Sequence, residues 1–598
     1  MSIVQHLRML SPFSVSGARF ISTHAVHLMQ QIARRKNVLP YCAVGIFKRN
    51  VSYSRSLWYE TSVVEDTERQ AHANLKSDAE KMFKYSIKSV HPQQMIEGVL
   101  HFNRATSVLR VQQETYHLHR NVFVVGMGKA VLGMAKAVED VLGDHIVTGI
   151  ISIPRGLQEE MIHTNNREMM LSPNTKILVY EGADNNEVDE ASHNASKAIL
   201  SLVNKLTEKD LLVVLCSGGG STLCPSPPPA ISLQELLTVT RLLAWNGATV
   251  QDMNTIRKNL EILKGGGLAL QARPAKVVSL ILSSIIGDPI DLIASGPTYP
   301  TQPTPSHCLE ILQRLNLLSR TPESVRRYLE REAKQQNRTT QDKQVTMSNN
   351  GTPQVREIWK GLQNIVVGNN SIACEAAAEK AAQMGYRPVI LTKFLVGEAR
   401  EVGKLYARLG EYIMMCFDRK ASQQPNTELT QLELELVAGG LRKQSINHIA
   451  DEVDTAHNLN KDICVIASGE TVVHVEGTGT GGKNQETALA AAIQMKEAFR
   501  GEECFQSETD MCVLSCDSDG YDGQSPVAGA VVDQDLVDRT LESGLSMEAY
   551  LANNDSNTFF STVNEGQNLV WTNITGTNVM DMVILLVRKP SDRKFKWN

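Results

Sequence analysis

At 598 residues, with 42% hydrophobic and 21% charged side chains, the chain is long enough for two or three domains and has the composition of an α/β protein. Its formal net charge of −5 is uneven: residues 1–59 hold eight Lys/Arg and no acid, leaving 52 basic against 65 acidic residues for the rest. An acidic body argues against general nucleic-acid binding, no apolar run reaches membrane-spanning length, and ten cysteines without C-x-x-C spacing read as reduced, buried thiols.

In chain order, the basic, Ser-rich start has the character of a mitochondrial presequence, placed at 1–62, with a cytoplasmic protein as the second choice. Residues 67–113 read as helices. Val122 to Ala130 (VFVVGMGKA) is a strand, a tight turn and a helix start, where backbone N–H groups beside Lys129 suit a phosphate or carboxylate. It is not a nucleoside-triphosphate loop, because Phe123 and Ala130 stand where glycine and Ser/Thr are needed. Nor is it a dinucleotide fingerprint, since the third glycine, Gly133, comes two places late. Strands follow at 147–153 and 176–180, then a helix over 189–206. The apolar strand 211–216 runs into Ser217-Gly218-Gly219-Gly220-Ser221, a backbone cradle for anionic oxygens. A helix over 249–263 presents Asn254, Arg257, Lys258 and Glu261 as a polar stripe. The strand 277–282 leads to Asp288, a turn-maker or a partner of a metal or hydroxyl.

Residues 331–360 read as a linker, 361–419 as an α/β segment continuing the core, and 420–460 as a loop insertion. In the last block, 461–590, Gly477 to Lys483 packs four glycines ahead of an Ala-rich helix and describes a second anion site. Asp517 to Gly523 fails as a calcium loop because position 528 is Ala, while Mg²⁺ binding by Asp519 or Asp522 stays open. There is no G-x-S-x-G, H-E-x-x-H or H-R-D for covalent, zinc or protein-kinase chemistry. Glycine turns with lysines and carboxylates are the parts of phosphoryl transfer, so a small-molecule kinase is the leading reading.

Gly126-Met-Gly-Lys-Ala130, Cys216 to Ser221, Met253 to Arg257, Gly287-Asp-Pro289, Ala294 to Thr298, Gly368 to Asn370, Gly397 to Val402, Asn553 to Ser556 and Thr575 to Asp581 together resemble the class II glycerate kinases, whose C-terminal part is the MOFRL domain. The resemblance runs in family order from about residue 75 to 590. It implies a Rossmann-like parallel-sheet domain (75–330), a smaller C-terminal α/β MOFRL domain (461–590), and an active site in the cleft between them. The implied activity is ATP- and Mg²⁺-dependent phosphorylation of D-glycerate to 2-phosphoglycerate. Lys129, Lys483, Asp288 and Asp519 would be catalytic, and Gly126, Gly128 and Ser217 to Ser221 would hold the nucleotide. Asn254, Arg257, Asn484 and Glu486 would hold substrate, and Asp519 and Asp522 the metal. Partners would be the small molecules alone, without nucleic acid or membrane insertion, and with homo-oligomerisation left open. The chain departs from the family pattern at Ser284, Thr480, Lys483, Pro526 and Trp571. The alternatives are a catalytically weakened nucleotide- or acid-binding relative and a nicotinamide-dependent hydroxypyruvate reductase.

Overall fold

The computed structural model describes residues 74–183, 186–302, 304–346, 359–422, 427–498 and 511–589; the expected presequence, 1–62, lies outside them. Helices Leu75–Ser89 and Pro92–Glu97 are followed by three antiparallel strands, β1 (Leu100–Asn103), β2 (Val108–Val111) and β3 (Glu114–His117), where helix was expected. Leu109 and Val111 are buried on either side of exposed Arg110, a period of two rather than of 3.6.

The first large sheet comprises β4 (Val122–Met127), β5 (Ile146–Pro154), β6 (Ile177–Gly182), β7 (Leu211–Cys216), β8 (Lys276–Leu282) and β9 (Leu362–Gly368). All pairs are parallel, in the order β6-β5-β4-β7-β8-β9. Counted along the chain this is 3-2-1-4-5-6, the order of doubly wound sheets. The winding direction reverses between β4 and β7, so the connections diverge there and leave a crevice at the carboxyl ends of those strands. All six residues of β7 are buried, as a continuous apolar run in a central parallel strand requires.

The second sheet comprises β10 (Arg387–Glu398), β11 (Ile463–Val472), β12 (Met511–Asp517), β13 (Gly529–Asp533), β14 (Leu569–Val570) and β15 (Asp581–Val587), in the order β10-β11-β15-β12-β13-β14. Only β10 and β11 pair in parallel. Against it, helix Ala399–Ser422 packs on helix Lys483–Ala498. A Cβ on Gly403 would lie 2.1 Å from the Thr487 carbonyl oxygen, so only glycine allows that approach.

Several expected boundaries move. The 361–419 segment divides, with β9 completing the first sheet and β10 beginning the second. The supposed loop insertion 420–460 contains helices Thr427–Ala438 and Lys443–Leu459, which bury Leu429, Leu432 and Leu436, and Ile446, Ile449 and Val453. Exposed Leu434 and Val437 blur the i, i+3, i+7 apolar stripe of the first, and polar residues surround that of the second. Helix Glu323–Thr346 runs through the first half of the expected linker 331–360; residues 347–358 lie outside the described ones. Helix Leu75–Ser89, assigned with the first domain, docks on the second sheet. There Lys76 pairs with Asp533 at 3.2 Å and Asp78 accepts a hydrogen bond from Tyr386 at 3.0 Å. The eight described cysteines are buried and form no disulfide among the described residues, and no helix among those residues is long and apolar enough to cross a membrane.

Candidate active site

A cavity of about 990 Å³ opens where the carboxyl ends of β4, β5 and β7 face loops of the second sheet. The first sheet contributes Lys129, Arg155 and Ser217 to Gly219; the second contributes Glu470, Gly479 to Lys483, Asp517 and Asp519. Lys129 and the glycines after β7 therefore flank the point at which the winding reverses.

The Gly126–Ala130 turn does not offer its backbone to a ligand as expected. Gly128 N–H bonds the Ser152 carbonyl (3.2 Å), Lys129 N–H the Gly218 carbonyl (2.9 Å), and Ala130 N–H the Ser217 hydroxyl oxygen (3.1 Å). Gly126 is buried inside β4 against Val131 and does not line the cavity, and neither does Gly128. The turn instead locks β4 to the β7 loop and projects the exposed side chain of Lys129 over Gly219. At Gly128, where φ is +142°, an added Cβ would lie 2.1 Å from the Ser217 hydroxyl and 2.8 Å from the Ser217 carbonyl oxygen. Gly128→Ala is expected to cost about 2–4 kcal/mol in urea unfolding and to displace the β7 loop, with turnover falling alongside.

In that loop, the N–H groups of Gly218 and Gly219 make no hydrogen bond among the described residues, and both residues line the cavity. Gly220 N–H returns to the Ser217 carbonyl. Ser221 faces away: its hydroxyl meets that of Ser295 at 2.8 Å and its carbonyl accepts from buried Lys264 at 2.7 Å. Ser217 N–H bonds the Met127 carbonyl at 3.3 Å, so the N–H cradle is Gly218 and Gly219 rather than the whole of Ser217 to Ser221.

The second glycine loop is pinned from behind. Thr478 N–H bonds the Asn553 side chain, Gly479 N–H the Asn553 carbonyl, and Thr480 N–H the Asp555 carboxylate. The anion at the N-terminus of helix Lys483–Ala498 belongs to the protein. Fully buried Asp522 accepts from the N–H and side-chain amide of Asn484 (2.9 and 3.3 Å) and from those of Gln485 (2.8 and 3.0 Å). Asp522 is therefore a cap and not the metal ligand expected. Asn484, also fully buried, bonds Asp522, Asp581 and Ser515, and cannot reach a substrate. Glu486 lines the cavity but is held by Arg400 at 2.6 Å and Asn554 at 3.0 Å.

Lys483 is not the unoccupied cation expected. Its ammonium lies 2.7 Å from Glu470, 3.1 Å from Asp581 and 3.4 Å from Asp517. Burial alone would lower its pKa; Asp581, Asp517 and Glu470 together raise it, so it stays protonated. The acids outnumber it, and they respond: burial and the neighbouring Asp517 push the Asp519 carboxyl up to about 7, against the pull of Lys129 and Lys483. A folded-state pKa above the unfolded one favours folding at low pH and loses that contribution as pH rises through the folded value. Asp519→Asn is accordingly expected to be more stable than the parent chain at pH 8, with the difference closing below about pH 4, as followed by urea unfolding at the two pH values.

Asp519 accepts from Tyr521 N–H and from the Asn578 amide, and Asp517 from Asp519 N–H. Among the described residues no three His, Cys, Asp or Glu side chains converge as a metal cage. Two adjacent carboxylates on a cavity wall do fit Mg²⁺ held mainly by substrate phosphates and water. Asp288 lies off the cavity; one of its oxygens accepts from Asn369 at 2.5 Å and the other is buried with no partner among the described residues. Asn254 and Arg257 are also outside the walls, Arg257 lying beside buried Glu261. Ser284 and Thr480 line the cavity, while Pro526 and Trp571 are exposed elsewhere.

Sequence reasoning gave no role to Glu470, Asp517, Asp581 or Arg155. Asp581 closes the Thr575–Asp581 motif and Asp517 opens the Asp-Ser-Asp-Gly turn, so both stood in recognised stretches; Glu470 carried no signal.

Comparison with known proteins decides the family. The chain matches the Domain of unknown function (DUF4147) over residues 78–330 and the MOFRL family over 463–581. It is 38% identical over 528 residues to a Danio rerio protein named glycerate kinase, covering 87% of this chain and 99% of that one. The chain belongs to the glycerate kinase family. It is also 31% identical over 517 residues to the D-glycerate 2-kinase of Thermotoga maritima, covering 86% and 99% of the two chains. The crystal structure of the Thermotoga maritima glycerate kinase superposes with a TM-score of 0.62 at 29% identity, over 86% of this chain and 99% of that one. The family assignment agrees with the two-sheet α/β architecture.

Proposed function

We propose that the chain transfers the terminal phosphoryl group of ATP to the 2-hydroxyl of D-glycerate, in the cleft between its Rossmann-like sheet and its MOFRL sheet. The reading is supported most directly by Lys129, which has no ion pair among the described residues, projecting over the unbonded N–H groups of Gly218 and Gly219. Those donors suit the phosphate oxygens, and the ammonium suits the charge that accumulates on the group in transfer. The acceptor oxygen forms its bond to the γ-phosphorus as the bond to the β-phosphate oxygen breaks, and ADP leaves with that electron pair. The hydroxyl proton passes to a carboxylate of the Asp517–Asp519 pair. The same pair would hold Mg²⁺ entering with the nucleotide, which when bound neutralises phosphate charge. Lys483 keeps the acid cluster from repelling the triphosphate.

Purified protein with ATP, Mg²⁺ and D-glycerate tests this by ADP release and phosphorus NMR. A phosphorus signal split as a doublet by a single CH proton marks 2-phosphoglycerate, and a triplet marks the 3-isomer. Nucleotide binding without glycerate-dependent ADP would leave the weakened-relative reading standing. For location, we infer import into the mitochondrial matrix; a reporter fused to residues 1–62 that stays cytosolic would overturn it.

A further inference from the structure

We propose that Arg155 recognises the carboxylate of the acceptor and is the residue by which the site distinguishes an acid from a neutral alcohol. This rests on the kinase reading above. Three cationic side chains line the cavity among the described residues, Lys129, Arg155 and Lys483. Lys483 is surrounded by Glu470, Asp517 and Asp581, and Lys129 runs along Gly219 on the side of the glycine loop. Arg155 is the cation left for a second anion.

The sheet sets the order of these groups. Met127 of β4 stands opposite Ser152 of β5 on one side and Cys216 of β7 on the other. Beyond the carboxyl edge the sequence across the cavity floor is therefore Arg155, Lys129, Gly218–Gly219, from strands about 4.8 Å apart. A phosphoryl group leaving the glycine loop passes Lys129 and meets an acceptor whose far end lies at Arg155.

The arginine is pre-positioned. Its N–H bonds the Gly182 carbonyl at 3.1 Å, and the next turn is clamped by Glu181, which accepts from Gly156 N–H at 2.9 Å and Gln158 N–H at 3.3 Å. Among the described residues its guanidinium makes one ion pair, to Asp189 at 3.1 Å, with a side chain 53% exposed. Asp189 is itself engaged as a helix cap through Ser192 N–H at 2.8 Å. A planar fork held through one nitrogen, Nη2, keeps an edge for a carboxylate in two parallel bonds, which an ammonium cannot provide. Glu160 beside it is already paired with the Tyr521 hydroxyl, a contact that joins the β5 side to the second sheet's loop over this end of the cavity.

The test is Arg155→Met, with Arg155→Lys as the conservative variant, assayed against D-glycerate and glycerol. KM for D-glycerate is expected to rise about 30-fold with Met and less with Lys, while KM for ATP moves by less than about threefold. The preference for D-glycerate over glycerol in kcat/KM should fall by the same factor. Calorimetric titration of D-glycerate into parent and variant reads the same loss without turnover. A parent chain that binds D-glycerate but forms no ADP would count against the kinase reading alone. An unchanged glycerate-to-glycerol preference, or a rise confined to the KM for ATP, would overturn the assignment of Arg155.

Discussion

Replacing Lys129 with alanine is expected to lower kcat by about three orders of magnitude while leaving the urea-unfolding midpoint within a few tenths of molar. The two halves of that expectation have separate causes. Lys129 is exposed, has no ion pair among the described residues, and projects into the cavity from a turn whose position is fixed by the backbone N–H bonds of Gly128, Lys129 and Ala130 to Ser152, Gly218 and Ser217. Removing its side chain leaves that framework intact, so stability has little to lose. The ammonium is also the charge beside the glycine loop that forms no ion pair among the described residues, so the transition state loses its main preorganised counter-charge. Steady-state kinetics with both substrates saturating, beside a denaturation curve, checks both halves. A drop in activity matched by a drop in stability would assign Lys129 to the fold instead.

Lys483→Met should do the opposite, costing about 3–5 kcal/mol of stability at pH 7. The Lys483 side chain is 18% exposed and its ammonium stands among three carboxylates, of which Asp581 is fully buried on a central strand of the second sheet. Deleting one partner of a buried cluster leaves charge without compensation. The penalty should shrink as pH falls from 8 to 5, because the Asp581 carboxyl, pushed up to about 8 by burial and the neighbouring Asp517, takes up a proton in the folded state. In the parent chain the raised Lys483 pKa gives stability that is complete below the ordinary lysine range and is lost only as pH climbs through the folded value. Urea unfolding across that pH range separates the variants; a pH-independent penalty would point to lost packing of the side chain rather than lost charge.

The first sheet was legible because each central strand is a continuous apolar run ending in a glycine or serine turn, as at Cys216–Ser217 and Met127–Gly128. The second was less so. Leu569–Val570 is two residues long, the buried stripe of helix Thr427–Ala438 is blurred by exposed Leu434 and Val437, and that of Lys443–Leu459 lies under a largely polar face. In the site, the strand ends flagged Lys129, Gly218, Gly219, Lys483 and Asp519, and the structure gathers these on one cavity. What local spacing could not show is which donors and acceptors are already engaged. Ser217, which takes the Ala130 N–H, is 87 residues away from it in sequence, and Asp522, which caps the helix at Asn484, is 38 away. A glycine loop looks the same in sequence whether it faces a ligand or its own chain.

The docking of helix Leu75–Ser89 on the second sheet has a consequence for how the chain can be divided. Phe83 and Met82 are wholly buried, and Cys464 of β11 rests against Met82 at 3.7 Å. A piece beginning after Thr346 would carry β9 and all six strands of the second sheet yet lack the helix that packs on β12, β13 and β15, presenting an apolar face to water. Two fragments cut between Thr346 and Trp359 should therefore be insoluble when made separately and recover as a complex when made together, the N-terminal one supplying its first helix to the other's sheet.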